Sequence, residues 1–183
     1  MGTTVFIHED LIEASKRGDE KARSQLYKLY AKAMFNVCYR MLNNREDAED
    51  MLQEVFVQVF RRLESFRYES GFGSWLKSIT INNCINFLKK RKAELVYCDE
   101  IDRHDRVQEE EEKAELTTEN ILKAMENLPE GGRLVFSLYL LEGYDHSEIA
   151  QILNITESTS KTQYMRAKQR IYENLKNQKI WVS

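Results

Sequence analysis

YDHSEIAQILNITESTSKTQYMRAKQRI, residues 144–171, reads as a short helix, a tight turn and a longer second helix carrying Lys and Arg. Asp145 suits an N-cap, and Glu148 three residues on completes a capping box. Ile149, Ala150, Ile152 and Leu153 supply an inward face, with small Ala150 where the two helices must approach closely. Asn154 falls at the turn, where a residue tolerant of positive φ is needed. Ile155 anchors that turn, and Thr156 caps the second helix. Such a motif lays its second helix in the major groove of DNA. Its outward positions are Ser158, Lys161, Thr162, Met165 and Arg166. Lys161 and Arg166 can donate to guanine or phosphate, and Met165 can touch a thymine methyl. Lys168 and Arg170 suit backbone contacts that fix register, and the N-terminus at Thr156 offers N–H groups to a phosphate. An amphipathic terminal helix with a solvated basic face would share much of this pattern, so the rest of the chain has to decide.

The chain of 183 residues has a formal charge of −3, an awkward sign for meeting a polyanion. Seven Gly and a single Pro, Pro129, favour long uninterrupted helices. No run of about 18 apolar residues exists to span a membrane, and the N-terminus lacks the basic and apolar regions of a secretory signal. A cytoplasmic location is expected. Cys38, Cys84 and Cys98 are an odd, widely spaced set, without the close pairs of a structural zinc site. Cys98 and His104 can share a metal in principle, but inert reduced thiols are the expectation, with no metal and no cofactor.

Upstream, the pattern is helical throughout. EDLIEASKR, residues 9–17, ends at Gly18, a usual C-cap residue, and Asp19 suits the next N-cap. The second helix is expected to bury Leu26, Leu29, Tyr30, Ala33, Val37 and Met41. After Asn43 and Asn44, the third carries Ala48, Met51, Leu52, Val55, Phe56, Val59, Phe60 and Leu63 on one face. A loop, RYESGFGS, leads to a fourth helix, WLKSITINNCINFLKKRKA. Residues 94–119 then hold eleven acidic and three basic residues, including four consecutive Glu at 109–112, and read as a linker. The expected fold is all-α: helical domains over 8–92 and 119–179, joined by an acidic flexible linker over 93–118, with the helix-turn-helix at the C-terminal end.

That division localises the acidity. Residues 94–119 carry −8, so the remainder of the chain is +5, with +5 over residues 67–92 and +4 over residues 156–179. Two basic patches remain that can meet phosphate. In the first lobe, Asn82, Asn83 and Asn86 sit inside a helix, where Asn is a poor former. Asn82, Asn86 and Lys89 share one face, beside an aromatic loop and followed by Lys90, Arg91 and Lys92. Asn and Lys beside aromatics suit single-stranded or melted nucleic acid. Phe72, Trp75 and Leu76 read as core rather than stacking platforms, and Phe56, Phe60 and Tyr39 as core by spacing.

Taken in order, NREDAEDMLQEVFVQVFRRLESFR, FGSWLKSITINNCINFLKKRK and LPEGGRLVFSLYLLEGYDHSEIAQILNITESTSKTQYMRAKQRI resemble the extracytoplasmic-function sigma factors. These are small two-domain promoter-specificity subunits of bacterial RNA polymerase, within the sigma-70 family. The resemblance runs from about residue 10 to 176, leaving out the linker. It implies a non-catalytic transcription initiation factor whose partners are core RNA polymerase (β′ and β subunits), promoter DNA and an anti-sigma factor, with no membrane insertion and a monomeric free state. It further implies that Asp47, Asp50, Gln53 and Glu54 dock on the polymerase. Ser65, Phe66, Arg67, Tyr68, Glu69 and Ser70 would form the loop that captures a flipped base of the −10 element. Asn82 and Asn86 would contact that strand, with Lys89, Lys90 and Arg91 on its backbone. Thr156, Ser158, Lys161, Thr162, Met165, Arg166, Lys168 and Arg170 would meet the −35 element. The sequence departs from the family at Ser158, where Gly is common, at Gln163, where a second Arg is common, and at Ser160, where an apolar residue usually packs. The rival reading is a stand-alone helix-turn-helix regulator, which predicts a dimer on a palindromic site.

Overall fold

A computed structural model describes residues 7–96 and 118–177. The fold over these residues is helical, without a strand, and divides into two compact units between Lys89 and Lys90. Most of the expected linker, with Cys98, His104 and the four Glu at 109–112, lies outside the described residues.

In the first unit, α1 (Glu9–Lys16) is followed by α2 (Glu20–Leu42), α3 (Arg45–Arg62) and α4 (Phe72–Val96), with a 3-10 turn over Leu63–Ser65. Short polar caps set the breaks. Gly18, at φ +89°, turns the chain where an L side chain would be strained. Asp19 then caps α2, its carboxylate accepting from the N–H groups of Lys21 and Ala22 at 2.8 and 3.1 Å. Asn43, left-handed at φ 53°, ends α2, and the Asn44 side chain accepts from the Asp47 N–H at 3.0 Å. Helices α2 and α3 run antiparallel: Arg23 lies over Phe60 and Tyr27 meets Phe56, with ring centroids 4.7 Å apart. Helix α4 joins on the other side of α2, where Tyr30 meets Phe72 and the Thr80 hydroxyl lies 3.3 Å from Met34 Sδ.

The expected stripe on α3 is buried, with Phe60 half-covered at its edge. On α2 the expectation needs correcting. Leu29 is 53% exposed and Ala33 is also exposed, while Met34 and Cys38 are buried. Packing by α4 against the Met34 and Cys38 side rotates the buried arc away from Leu29, because two neighbours rather than one define the inner face. Cys38 and Cys84 are both fully buried and reduced. The hydrogen bond with Cys38, then burial, pushes the Cys84 thiol far above its ordinary range. Helix α4 itself runs on to Val96, beyond the boundary between the units at Lys89 and Lys90.

The second unit contains α5 (Thr118–Glu126), α6 (Glu130–Phe136), α7 (His146–Leu153) and α8 (Glu157–Asn177). Its core gathers Ala124, Met125, Leu128, Phe136, Ala167, Ile171 and Leu175 around α8. Pro129 is the N-cap of α6. After α6 the helix widens over Ser137–Leu141, where the Glu142 N–H reaches back five residues to the Ser137 carbonyl at 3.1 Å. No local sequence signal announces that widening. It lays Tyr139 flat on His146, with ring centroids 4.4 Å apart.

Candidate nucleic-acid and polymerase interfaces

The helix-turn-helix forms as its caps dictate. Asp145 accepts from the N–H groups of Ser147 and Glu148, both at 2.8 Å, and the Glu148 carboxylate accepts from the Asp145 N–H at 2.8 Å. The Ser147 hydroxyl, then these N–H groups, hold the Asp145 carboxyl below its usual range. Asn154 takes the left-handed conformation, φ 55°, and Thr156 accepts from the Thr159 N–H at 3.0 Å. Ile149 is buried, and Ala150, Ile152 and Leu153 are half-buried.

Thr156, Ser158, Lys161, Thr162, Met165, Arg166, Lys168 and Arg170 are all exposed. Three of these groups carry local bonds: the Thr156 hydroxyl caps α8, Lys161 Nζ lies 2.6 Å from Glu157 Oε1, and the Thr162 hydroxyl donates to the Ser158 carbonyl at 2.9 Å. Contact with a phosphate or guanine requires Lys161 to leave an acidic neighbour that DNA would itself repel. Ser160, in place of the usual apolar residue, is fully buried with its hydroxyl 2.9 Å from His146 Nδ1. A polar pair therefore closes the seam between α7 and α8. Gln163 is half-buried and leans toward Gly131 and Gly132 on α6.

In the first unit, the loop between the 3-10 turn and α4 rests on an aromatic floor. Phe66, only 4% exposed, packs on Tyr68, Trp75 and Phe72 at centroid distances of 4.7, 5.1 and 5.6 Å. A cavity of about 430 Å³ opens beside it, between Ile12, Tyr30, Phe66, Tyr68 and Phe72. Of the six expected loop residues, Arg67, Glu69 and Ser70 face outward. Ser65 is exposed, but its hydroxyl donates to the Arg62 carbonyl at 2.6 Å. Phe66 supports the loop from beneath and is not presented to a ligand.

Asn82, Asn86 and Lys89 are exposed on one face of α4, with Ser78 a turn before. Asn83 belongs to the fold, donating to Gln58 Oε1 at 2.8 Å and to the Ile79 carbonyl at 2.9 Å. Lys90 is exposed at the edge of that face, whereas Arg91, a further 100° around, is half-buried and points elsewhere.

On α3, Asp50, Gln53 and Glu54 are exposed along one stripe, and Asp47 is half-buried in the first turn. Sequence periodicity overlooked Val57. It continues this stripe three residues after Glu54 and is 50% exposed, an apolar contact amid acidic ones.

Residues 26–94 match the family described as sigma-70 region 2, and residues 118–171 match sigma-70 region 4. The chain is 29% identical over 178 residues to SigW of Bacillus subtilis (strain 168), an extracytoplasmic-function RNA polymerase sigma factor, covering 91% of this chain and 95% of that one. It is 28% identical over 173 residues to the sigma-E factor of Escherichia coli (strain K12), covering 88% and 90%. Its fold is like that of the sigma factor RpoE crystallised with the anti-sigma factor NepR from Bartonella quintana. There the TM-score is 0.58 at 23% identity, over 84% of this chain and 96% of the other. The region 2 match falls mainly in the first helical unit and the region 4 match within the second. The chain therefore belongs to the sigma-70 family, as an RNA polymerase sigma factor of the extracytoplasmic-function type.

Proposed function

We propose that this chain recruits bacterial core RNA polymerase to promoters by dividing recognition between its two units. The second unit, about residues 119–179, reads the −35 element as duplex through Lys161, Thr162, Met165 and Arg166. Thr156, Ser158, Lys168 and Arg170 meet the flanking backbone. The first unit, about residues 8–92, captures the −10 strand. Arg67, Glu69 and Ser70 face the extruded base over the aromatic floor, Asn82 and Asn86 contact its neighbours, and Lys89 with Lys90 holds the backbone. Opening duplex costs a few kcal/mol per unstacked step, and trapping the extruded base offsets that cost. The α3 stripe of Asp50, Gln53, Glu54 and Val57 docks on the polymerase, with Asp47 at its start. Tethering both readers to one enzyme raises their effective concentration, so neither needs high affinity alone.

The observation that carries this reading is the exposed Asn and Lys face of α4 beside a loop floored by aromatics, in a chain that also exposes Lys161, Thr162, Met165 and Arg166 on the second helix of a helix-turn-helix. A stand-alone duplex regulator leaves the α4 face, the loop and the α3 stripe without a use. An anti-sigma factor is the expected restraint on such a chain, and the structurally similar sigma factor RpoE from Bartonella quintana was crystallised with the anti-sigma factor NepR.

The test is transcription by core polymerase and this chain on a promoter library randomised in separate upstream and downstream blocks. Wild type should enrich an asymmetric two-part motif. Lys161→Ala with Arg166→Ala should flatten the upstream block alone, and Asn82→Ala with Asn86→Ala the downstream block alone. Enrichment of a palindrome, or no dependence on core polymerase, would overturn the proposal.

A further inference from the structure

Tyr68 is held at φ 60°, a left-handed conformation that a bulky L residue adopts only where its surroundings enforce it. The surroundings here come from α1, which precedes the region 2 match beginning at residue 26. The Tyr68 hydroxyl donates to Glu13 Oε1 at 2.7 Å. Lys16 Nζ donates to the same carboxylate at 2.8 Å and to the Phe66 carbonyl at 3.1 Å, and it sits 4.7 Å from the centroid of the Tyr68 ring. Two side chains one turn apart on α1 thus grip the loop at two points, about 50 residues downstream.

We infer that Glu13 and Lys16 are positioning residues for −10 strand capture, and that Tyr68 is the loop's anchor to α1 rather than one of its base-reading side chains. This rests on the reading of the loop as the −10 capture element. With Phe66 fixed by the aromatic floor and Tyr68 by Glu13, Arg67 projects from between two pinned neighbours, and Glu69 and Ser70 follow outward. A capture site must hold its geometry before the base arrives, because ordering a mobile loop would consume binding energy. The hydrogen bonds from Lys16, then Tyr68, keep the Glu13 carboxyl below its usual range, so the clamp is charged at neutral pH.

The two-block promoter library, transcribed by core polymerase with the full chain, tests the clamp. Glu13→Ala should lower enrichment in the −10 block about ten-fold, as expected for one charge-assisted hydrogen bond, and leave the −35 block and core association unchanged. Glu13→Gln, which keeps an acceptor for Tyr68, should recover most of that loss. Tyr68→Phe should match Glu13→Ala, and the pair should cost little more than either alone. Lys16→Met, which removes the donor to Phe66 but keeps the methylenes, should act in the same direction and serves if Glu13→Ala fails to fold. A parallel fall in both blocks would mean a general loss of structure and overturn the inference. Arg67→Ala with Glu69→Ala and Ser70→Ala separates the two levels. If these flatten the −10 block while Glu13→Ala and Lys16→Met do not, the clamp is refuted and the loop reading stands. If these also leave the −10 block intact, both fall together.

Discussion

Ser160→Ala should loosen the joint between α7 and α8 more than loss of one oxygen suggests. The hydroxyl is fully buried and lies 2.9 Å from His146 Nδ1. The imidazole cannot easily turn to another partner, since it stacks on Tyr139 at 4.4 Å and 13° and meets Tyr164 edge-on at 5.7 Å. Removing Ser160 Oγ leaves a part-buried ring nitrogen without its partner, which costs about 1–2 kcal/mol. Hydrogen exchange of the α7 and α8 amides should therefore quicken by roughly 5- to 30-fold. His146→Phe keeps the stacking and deletes the nitrogen, so it should expose Ser160 Oγ to the same penalty. Replacing both partners by apolar groups of similar shape is close to neutral. The double substitution should therefore recover most of the protection, with a coupling of about 1 kcal/mol. Exchange unchanged by Ser160→Ala, or two single effects that simply add, would refute the polar lock.

Leu76, a fully buried residue of α4, should cost about 2–5 kcal/mol on truncation to Ala, measurable as a lower denaturation midpoint of the first unit. Asn154→Gly should be near neutral because the site is left-handed, whereas Asn154→Val should lose about 1–2 kcal/mol by thermal denaturation. Glu13 has a depressed folded pKa, so its contribution is present above its unfolded pKa of about 4.3 and is lost as pH falls through the folded value. Amide protection over residues 66–70 should fall across that acid window in the wild type, and Glu13→Gln should flatten the fall.

Elements and caps were legible because they are local. Asp19, Asp145, Asn154 and Thr156 each act on backbone within a few residues, and the α3 stripe needs only helical spacing. What escaped depends on neighbours distant in sequence. Leu29 and Ala33 satisfied the period of α2, yet the position of α4 decides which arc is covered. Glu13 and Lys16 look like ordinary residues of a charged surface helix, and nothing near them signals a partner at Tyr68. Ser160 stood out as a departure, but its reason lies in His146, fourteen residues away in the preceding helix. The widening over Ser137–Leu141, which brings Tyr139 to that same ring, has no sequence signature to read. Of the residues expected to meet DNA or polymerase, most are exposed on the faces their spacing indicated, and three are placed otherwise: Phe66 is floor, Tyr68 is anchored inward and Arg91 leaves the α4 face.

The central claim is that the chain works through the polymerase, and association with purified bacterial core enzyme tests it most directly. Wild type should bind tightly, and Asp50→Lys with Glu54→Lys should weaken binding about ten-fold or more, by a margin that shrinks as salt is raised. Undiminished binding by the charge reversal would move the docking face off α3. No association at all, with specific dimeric binding of duplex DNA by the chain alone, would contradict the account.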